Sequence, residues 1–354
     1  MYGGELMRDY LTALVGNHAL RLRLGDELAR GALAHAYILE GPSGCGKHTL
    51  ARLIVMSLAC ENRQNGQAAL PCGTCASCRK IAAGNCPDVI TVTREEDKAT
   101  MGVDVIRAMR DDVSTLPNDL DLKVYVIEDA HTMTPAAQSA LLLTLEEPPP
   151  FVLFLLLSER SEVLLETIRS RAPILRMQPI SDGELREHLL SHPDKTTARA
   201  ARTLESSAPE EFSALLRMSC GRIGRALELL EEKKRAPLLA KRRVASSLCE
   251  LLASTARSAE LQALLLSLPS ARTETAASLQ TVNEALRDLL ALSVTENAPL
   301  LFFTDREAAA ELAARFTTAT LLSHIEATDA ALSALARGGN VRLTLTHYLC
   351  RLTA

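Results

Sequence analysis

Residues 36–50 read AYILEGPSGCGKHTL, an apolar segment that is followed by a glycine-rich turn and then by a second apolar pattern. The run Tyr37 to Leu39 predicts a short buried strand, and apolar residues recur at helical spacing from Leu50 to Leu58. A strand, a glycine turn and a helix in this order are the usual context of a phosphate-binding loop. We therefore expect the first part of the chain to be an α/β nucleotide-binding domain.

The turn fits every fixed position of the pattern G-x-x-x-x-G-K-[ST] except the last. Its glycines let backbone amides point toward a polyphosphate, the start of the next helix adds partial positive charge, and the lysine can reach the terminal phosphates. The predicted phosphate-binding residues are Gly41, Gly44, Gly46, Lys47, His48 and Thr49.

His48 stands where a serine or threonine hydroxyl would coordinate magnesium. An imidazole nitrogen is a poor ligand for a hard ion that prefers oxygen. Thr49 follows, but one helical step turns its side chain by about 100°. The loop is therefore predicted to hold phosphate and to be impaired in its use of Mg-ATP.

The composition points to a largely helical protein of two or three domains. Of the 354 residues, 47% are apolar and only 3% are aromatic, with no tryptophan. The formal net charge of -4 excludes a globally basic surface for nucleic acid, so that any contact with DNA must come from a local patch or from partners.

The cysteine usage and the absence of membrane signals favour the cytoplasm. The segment Met1–Tyr10 lacks the apolar core of a signal peptide, and the longest apolar run, 151–157, has the length of a buried strand. The nine cysteines are therefore expected in a metal site or as buried thiols and not in disulfides.

Further strands are predicted at 89–93, 123–127 and 151–157, with helical patterns between them. This alternation predicts a doubly wound parallel sheet, in which ligands lie beyond the carboxyl ends of the strands. From about residue 181 onward the strand signals vanish, and the remainder is expected to be helical.

The acidic pair Glu128-Asp129 ends the predicted strand 123–127. At this position of a nucleotide site, one carboxylate would hold magnesium through water and the next would orient the attacking water. A solvated acidic turn is the alternative interpretation.

The cysteines of Cys72-x-x-Cys75-x-x-Cys78 place three thiolates on a tight loop. Either Cys60 or Cys86 could supply the fourth ligand of a tetrahedral zinc site. Four thiolates would close the site, which would make it structural; unmetallated reduced thiols are the alternative.

Together with the loop and the acidic pair, three short motifs closely resemble the bacterial DNA polymerase III clamp-loader subunits, the gamma/tau and delta-prime proteins of the AAA+ ATPase superfamily. These motifs are HAY at 35–37, LEEPP at 145–149 and TIRSR at 167–171. The resemblance covers roughly residues 10 to 235. In that family the loader opens the ring-shaped sliding clamp and places it on primed DNA, using ATP bound at subunit interfaces.

The resemblance implies a role for several further residues. Ser158 would sense the terminal phosphate, and Arg171 would be an arginine finger that acts on the ATP of a neighbouring subunit, although Ala172 replaces the usual cysteine after it. It also implies a zinc module with Cys60 as the fourth ligand. The implied catalytic residues are Arg171, Asp129 and Glu128, and the implied zinc ligands are Cys60, Cys72, Cys75 and Cys78.

Three departures favour the delta-prime type over the ATP-hydrolysing gamma/tau type. They are His48, the order Glu128-Asp129 where the ATPases have Asp-Glu, and Gly224 where those subunits place an arginine. ATP and Mg²⁺ are then doubtful at the chain's own site, and its own hydrolysis would be weak or absent. The alternatives are a gamma/tau-type ATPase with Asp129 as base, or another AAA+ DNA-remodelling or repair ATPase.

The resemblance further implies an AAA+ domain at 1–178 with a zinc module at 60–86, a helical lid at 179–235 and a helical oligomerisation collar at 236–354. The implied partners are gamma/tau and delta subunits in a hetero-oligomer, the sliding clamp, and primed DNA through the complex, with no membrane. The chain would thus be a component of the DNA polymerase III holoenzyme.

Overall fold

The computed structural model describes residues 9–63, 69–254, 258–295 and 297–353. Two regions discussed above lie partly outside these ranges. They are the segment Met1–Tyr10, for which we predict no signal peptide, and the cysteine-bearing insert, of which residues 64–68 are not described. The chain divides into two units, Met1–Glu184 with Arg222–Gly224, and Leu185–Gly221 with Arg225–Ala354. Within the described ranges, no helix is long and apolar enough to cross a membrane.

The first unit contains a parallel five-stranded sheet with the order β4-β5-β6-β2-β7, and a separate parallel pair of β1 and β3. The strands are β1 Asp9–Tyr10, β2 Ala36–Glu40, β3 Ala69–Leu70, β4 Val89–Val92, β5 Lys123–Ile127, β6 Val152–Ser158 and β7 Ile174–Arg176. The predicted parallel α/β sheet is confirmed. The three-residue strand β7 was not predicted, because so short a segment shows no periodicity.

Helices cover both faces of this sheet. They are α1 His18–Arg30, α2 Lys47–Ala59, α3 Ala76–Ala82, α4 Val103–Val113, α5 Pro135–Glu146 and α6 Glu166–Arg169. Alternate residues of β2 enter two different cores: Tyr37 and Leu39 join a cluster with residues of α1 and α2, whereas Ala36 and Ile38 join one with residues of α4 and α5. Every residue of β5 and β6 is buried, as expected for strands covered on both faces.

The remaining elements are helical, as predicted for the chain beyond residue 181. They are α7 Asp182–Leu190, α8 Lys195–Ser207, α9 Pro209–Ser219, α10 Ile223–Leu230, α11 Glu232–Leu252, α12 Ser258–Leu266, α13 Arg272–Val294, α14 Arg306–Ala313, α15 Thr318–Ala336 and α16 Val341–Thr353. Residues of α11 to α16 share one hydrophobic core. The predicted boundary between lid and collar, at residue 235, falls within α11 and stays a prediction.

Asp88 ties the start of the central sheet to the segment before β5. Its buried carboxylate accepts hydrogen bonds from the backbone amides of Asn118, Asp119 and Leu120 at 2.7, 2.6 and 2.8 Å. Burial by itself would raise the pKa of Asp88, but these hydrogen bonds to the ionised form outweigh it, and the pKa lies below its usual value.

We expect Asp88→Asn to lower the free energy of unfolding by about 2 kcal/mol at pH 7, because hydrogen bonds to a charged acceptor are stronger than those to an amide. Since the folded-state pKa is depressed, the carboxylate stabilises the fold above its unfolded pKa near 4, and this contribution is lost as the pH falls through the lower folded value. Urea unfolding at pH 7 and at about pH 3 tests this, with Asp97→Asn, at an exposed position, as control. A wild-type advantage of equal size at both pH values would contradict the assignment.

Candidate nucleotide and metal sites

The predicted phosphate loop lies between β2 and α2. The strand ends at Glu40, and the helix begins at Lys47. Gly44 and Gly46 have φ angles of 79° and 104°, a region that residues with a side chain rarely adopt. The glycines therefore allow the sharp turn that places the start of α2 at the carboxyl edge of the sheet.

The Lys47 side chain is buried against this loop. Its Nζ donates hydrogen bonds to the carbonyl oxygens of Gly41 and Pro42, at 2.6 and 3.1 Å. The amides in the first turn of α2 have no acceptor further back in the helix, so this end of the helix is suited to bind an anion. A buried ammonium beside it adds a full positive charge.

His48 and Glu128 meet at the same edge of the sheet. Glu128 directly follows β5, and its Oε1 lies 2.8 Å from Nε2 of His48 in the first turn of α2. The two residues and Thr49 line a cavity of about 380 Å³ that α2, α3, β4 and β5 enclose. No pattern in the sequence indicates the contact between His48 and Glu128, although both belong to motifs that are predicted to end at one sheet edge.

Asp129 and Ser158 also lie at this edge, but their surroundings differ. Asp129 is exposed, with a left-handed φ of 46° that short polar residues tolerate. Ser158 is buried opposite Glu40, and its hydroxyl donates to the Arg160 carbonyl at 2.9 Å and accepts from the Arg160 amide at 3.2 Å. The serine hydroxyl thus caps the turn after β6, and its predicted contact with phosphate stays a prediction.

Gly224, where ATPase subunits would place an arginine, packs on the phosphate loop within the first unit. Its amide donates to the Gly44 carbonyl at 2.9 Å. A Cβ atom at position 224 would lie 2.9 Å from the Gly44 Cα, closer than such atoms come in practice. A side chain at position 224 therefore requires the loop or its neighbour to shift.

Arg171 follows α6 and is partly exposed. Its Nη2 forms an ion pair with Oε1 of Glu146 at 2.8 Å, and its Nη1 donates to the Thr167 carbonyl at 3.0 Å. Glu146 ends α5, in the LEEPP motif. The sequence gives no sign of this ion pair, because residues 25 positions apart on different elements leave no periodic signal.

Four cysteines converge beside the phosphate-loop helix. The sulfur atoms of Cys60, Cys72, Cys75 and Cys78 all lie within 4.8 Å of one another, and those of Cys72 and Cys78 are 3.9 Å apart. Tetrahedral zinc with Zn–S bonds of about 2.3 Å would place its ligands about 3.8 Å apart. The four residues therefore fit a closed thiolate metal site, and Cys86, buried nearby, does not belong to this group.

Hydrogen bonds to sulfur orient the cysteine loop. The amide of Cys75 donates to Cys72 Sγ and the amide of Cys78 donates to Cys75 Sγ, both at 3.4 Å. Burial would raise the pKa of Cys72, but hydrogen bonds from Cys75 and from the amide and hydroxyl of Thr74 lower it to about 5. Burial raises the pKa of Cys78. The loop thus stabilises negative charge on Cys72, as a metal-binding thiolate requires.

Comparison of the sequence with known proteins gives matches to DNA polymerase III subunits. The sequence model of the family described as "DNA polymerase III, delta subunit" matches residues 16–181. DNA polymerase III subunit gamma/tau of Mycobacterium bovis is 37% identical over 170 residues, which are 47% of this chain and 29% of that protein. DNA polymerase III subunit tau of Escherichia coli is 33% identical over 208 residues, which are 56% of this chain and 31% of that protein.

The chain thus spans less than a third of the length of these two relatives. A solved DNA polymerase III gamma subunit-related protein from Thermotoga maritima aligns over 94% of this chain and 98% of its own, with 16% identity and a TM-score of 0.44. The matches do not separate the delta-prime type from the gamma/tau type. Over residues 16–181, the region that holds the predicted phosphate loop, the chain is similar to the bacterial DNA polymerase III clamp-loader subunits, and these matches support a clamp-loader subunit of the AAA+ type.

Proposed function

We propose that this chain is the delta-prime-type subunit of its clamp loader, which completes a neighbour's ATP site while its own site hydrolyses ATP weakly or not at all. The contact between His48 and Glu128 is the observation that carries this proposal. His48 stands where a hydroxyl ligand of magnesium is missing, and Glu128 is an acid that would hold the ion. Because the two side chains contact each other, they do not offer the all-oxygen octahedral site that Mg²⁺ requires.

Arg171 supplies the trans-acting group in this proposal. Its guanidinium is held at the surface by Glu146 and by the Thr167 carbonyl. An arginine fork fixed in this way can donate to the phosphate of a nucleotide on an adjacent subunit and stabilise the charge that develops during phosphoryl transfer. The ion pair with Glu146 is exposed and therefore weak. It orients the arginine side chain, and little free energy is needed to break it when the arginine turns toward a neighbouring nucleotide.

The zinc module serves a structural role in this proposal. Cys60 follows α2, and Cys78 lies within α3, so a metal ion would cross-link the phosphate-loop helix to the insert that packs beside it. A site closed by four thiolates leaves no open position for substrate. The ion would therefore stabilise the fold and take no part in hydrolysis.

The partners that we propose are gamma/tau- and delta-type subunits, the sliding clamp, and primed DNA through the assembled complex, in the cytoplasm. The family match and the named relatives support this assignment, since their names place them in DNA polymerase III. The helical core of α11 to α16 would provide the collar through which the subunits assemble.

A gamma/tau-type ATPase is the second candidate. The named relatives are gamma/tau or tau subunits, and the loop retains a buried Lys47. In that case Asp129 would be the base, and His48 would have to release Glu128 when Mg-ATP binds. The two candidates differ in whether the isolated chain turns over ATP.

We expect the isolated chain to hydrolyse Mg-ATP about a hundredfold more slowly than a gamma-type subunit, because its metal position is lost. Mixed with gamma- and delta-type subunits, it should co-elute in size-exclusion chromatography and raise their turnover in the presence of clamp and primed DNA. Lys98→Ala, an exposed substitution, is the control. Rapid turnover by the chain alone, abolished by Lys47→Ala, would favour the gamma/tau type, and failure to co-elute would favour another AAA+ ATPase.

A further inference from the structure

The pair His48–Glu128 connects two elements that a metal ion would otherwise bridge. His48 lies in the first turn of α2, and Glu128 directly follows β5, 80 positions later. In a magnesium-dependent loop, a hydroxyl on the helix and an acid after the strand approach each other through the ion. Here the imidazole and the carboxylate touch directly, at 2.8 Å.

The groups that would bind phosphate do not depend on this bridge. Lys47 is already positioned by the carbonyl oxygens of Gly41 and Pro42, at 2.6 and 3.1 Å. The amides at the start of α2 and the glycine turn are fixed by the backbone. The loop therefore keeps its cationic and amide donors, while the position that requires a divalent ion is filled by protein atoms.

We propose that this loop binds the polyphosphate of a nucleoside di- or triphosphate without a divalent cation, and that the His48–Glu128 pair takes the place of the ion. The side chain of His48 is 64% exposed and that of Glu128 is 33% exposed, so the pair lies at the mouth of the loop, where a ligand can reach it. With Nε2 directed to Glu128, Nδ1 is the ring nitrogen left to face a phosphate, and it donates a hydrogen bond to the phosphate when the imidazole is protonated on both nitrogens.

This inference rests on the proposed phosphate loop, but it is independent of Arg171. A metal-free nucleotide would occupy the chain's own site and would not be hydrolysed there, since no ion stabilises the charge of the transferring group. The bound nucleotide would then act as a structural ligand of the loop. The arginine finger and the assembly with partners could be correct even if no such nucleotide binds.

The test is calorimetric titration of the full chain with ATP and with ADP, in excess EDTA and in excess MgCl₂. Wild-type protein is expected to bind at least as tightly in EDTA as in Mg²⁺. His48→Thr restores the hydroxyl and releases Glu128, and it should bind ATP about tenfold more tightly with Mg²⁺ than without it, as expected for one regained charge-assisted contact. Glu128→Gln weakens the contact with His48, and this variant should bind ATP and ADP less tightly in EDTA than the wild-type protein does.

His347→Thr makes the same chemical change at an exposed position on α16 and should leave binding in both buffers unchanged. Thermal melting of each variant with and without ATP and EDTA gives a second readout that also reports whether the variant is folded. Wild-type binding that requires Mg²⁺ would overturn the proposal. So would the absence of binding in both buffers, or a His48→Thr variant with the same metal preference as the wild type.

Discussion

Arg171→Ala is expected to slow ATP hydrolysis by about a thousandfold at the neighbouring site that we propose this residue completes, the range seen when an arginine finger is removed. The guanidinium contributes charge and directed hydrogen bonds only where the transition state develops negative charge, so its loss affects turnover more than nucleotide affinity. Rapid-quench hydrolysis by the assembled loader is the measurement. The amplitude of the fast hydrolysis phase should fall by the equivalent of one ATP site. The rate constant of the remaining fast phase, which reports the other sites, should stay unchanged.

Because Arg171 lies at the surface, its substitution should change hydrolysis without changing the stability of the fold. Its ion pair with Glu146 involves side chains that are 36% and 41% exposed, and such pairs contribute less than about 1 kcal/mol to stability. Arg171→Ala should therefore fold and assemble normally. Arg171→Lys keeps the charge but loses the planar fork, and it should recover only a small part of the rate.

Arg107→Ala provides a matched control on α4. This arginine also forms an exposed ion pair, with Asp104 at 3.4 Å, and no motif assigns it a role. Glu146→Gln tests the anchoring of the finger, since it removes the ion pair and leaves the arginine in place. Equal hydrolysis amplitudes for the Arg107 and Arg171 variants would contradict the assignment of the arginine finger.

Local patterns predicted much of the sheet, since the residues of a buried parallel strand are apolar in succession. The strand at 123–127 has the predicted bounds, and the strand predicted at 151–157 is shifted by one residue. β7 could not be predicted, because a strand of three residues is too short to show a periodic pattern of apolar residues. The strand, glycine turn and helix around the predicted phosphate loop were predictable because they lie within 15 consecutive residues.

The contacts that give the site its chemistry could not be predicted in the same way. His48 and Glu128 are 80 positions apart, and no pattern within either motif indicates that they pair. The choice between Cys60 and Cys86 also depended on the path of the chain around α3, which spacing alone left open. Sequence thus located the residues, and the packing of α2 against the edge of the sheet determined which of them meet.

Removal of the proposed zinc ion is expected to destabilise the first unit by at least about 3 kcal/mol, because a structural zinc site contributes its binding energy directly to folding. Cys60, Cys78 and Ile81 belong to the same hydrophobic core as the residues of α2, so loosening of the insert would expose part of that core. Chelation of the purified protein should therefore lower its melting temperature. Metal analysis should find about one zinc per chain before treatment.

Single substitutions locate the ligands. Cys72→Ser should release the metal, because it removes the sulfur that accepts the amide of Cys75 and lies 3.9 Å from that of Cys78. Cys60→Ser should do the same, whereas Cys86→Ala should retain the metal, since Cys86 lies outside the group of converging sulfur atoms. Co²⁺ substitution would show tetrahedral thiolate bands in the Cys86 variant and not in the other two.

The Cys86 variant also separates loss of metal from loss of packing. Cys86 is buried in the same core as Cys60, so a moderate fall in stability is expected for Cys86→Ala even while the zinc content stays unchanged. A variant that loses both metal and stability identifies a ligand, and one that loses only stability identifies a packing residue. Wild-type protein without stoichiometric metal, in which Cys72, Cys75 and Cys78 are readily alkylated, would contradict the zinc site itself.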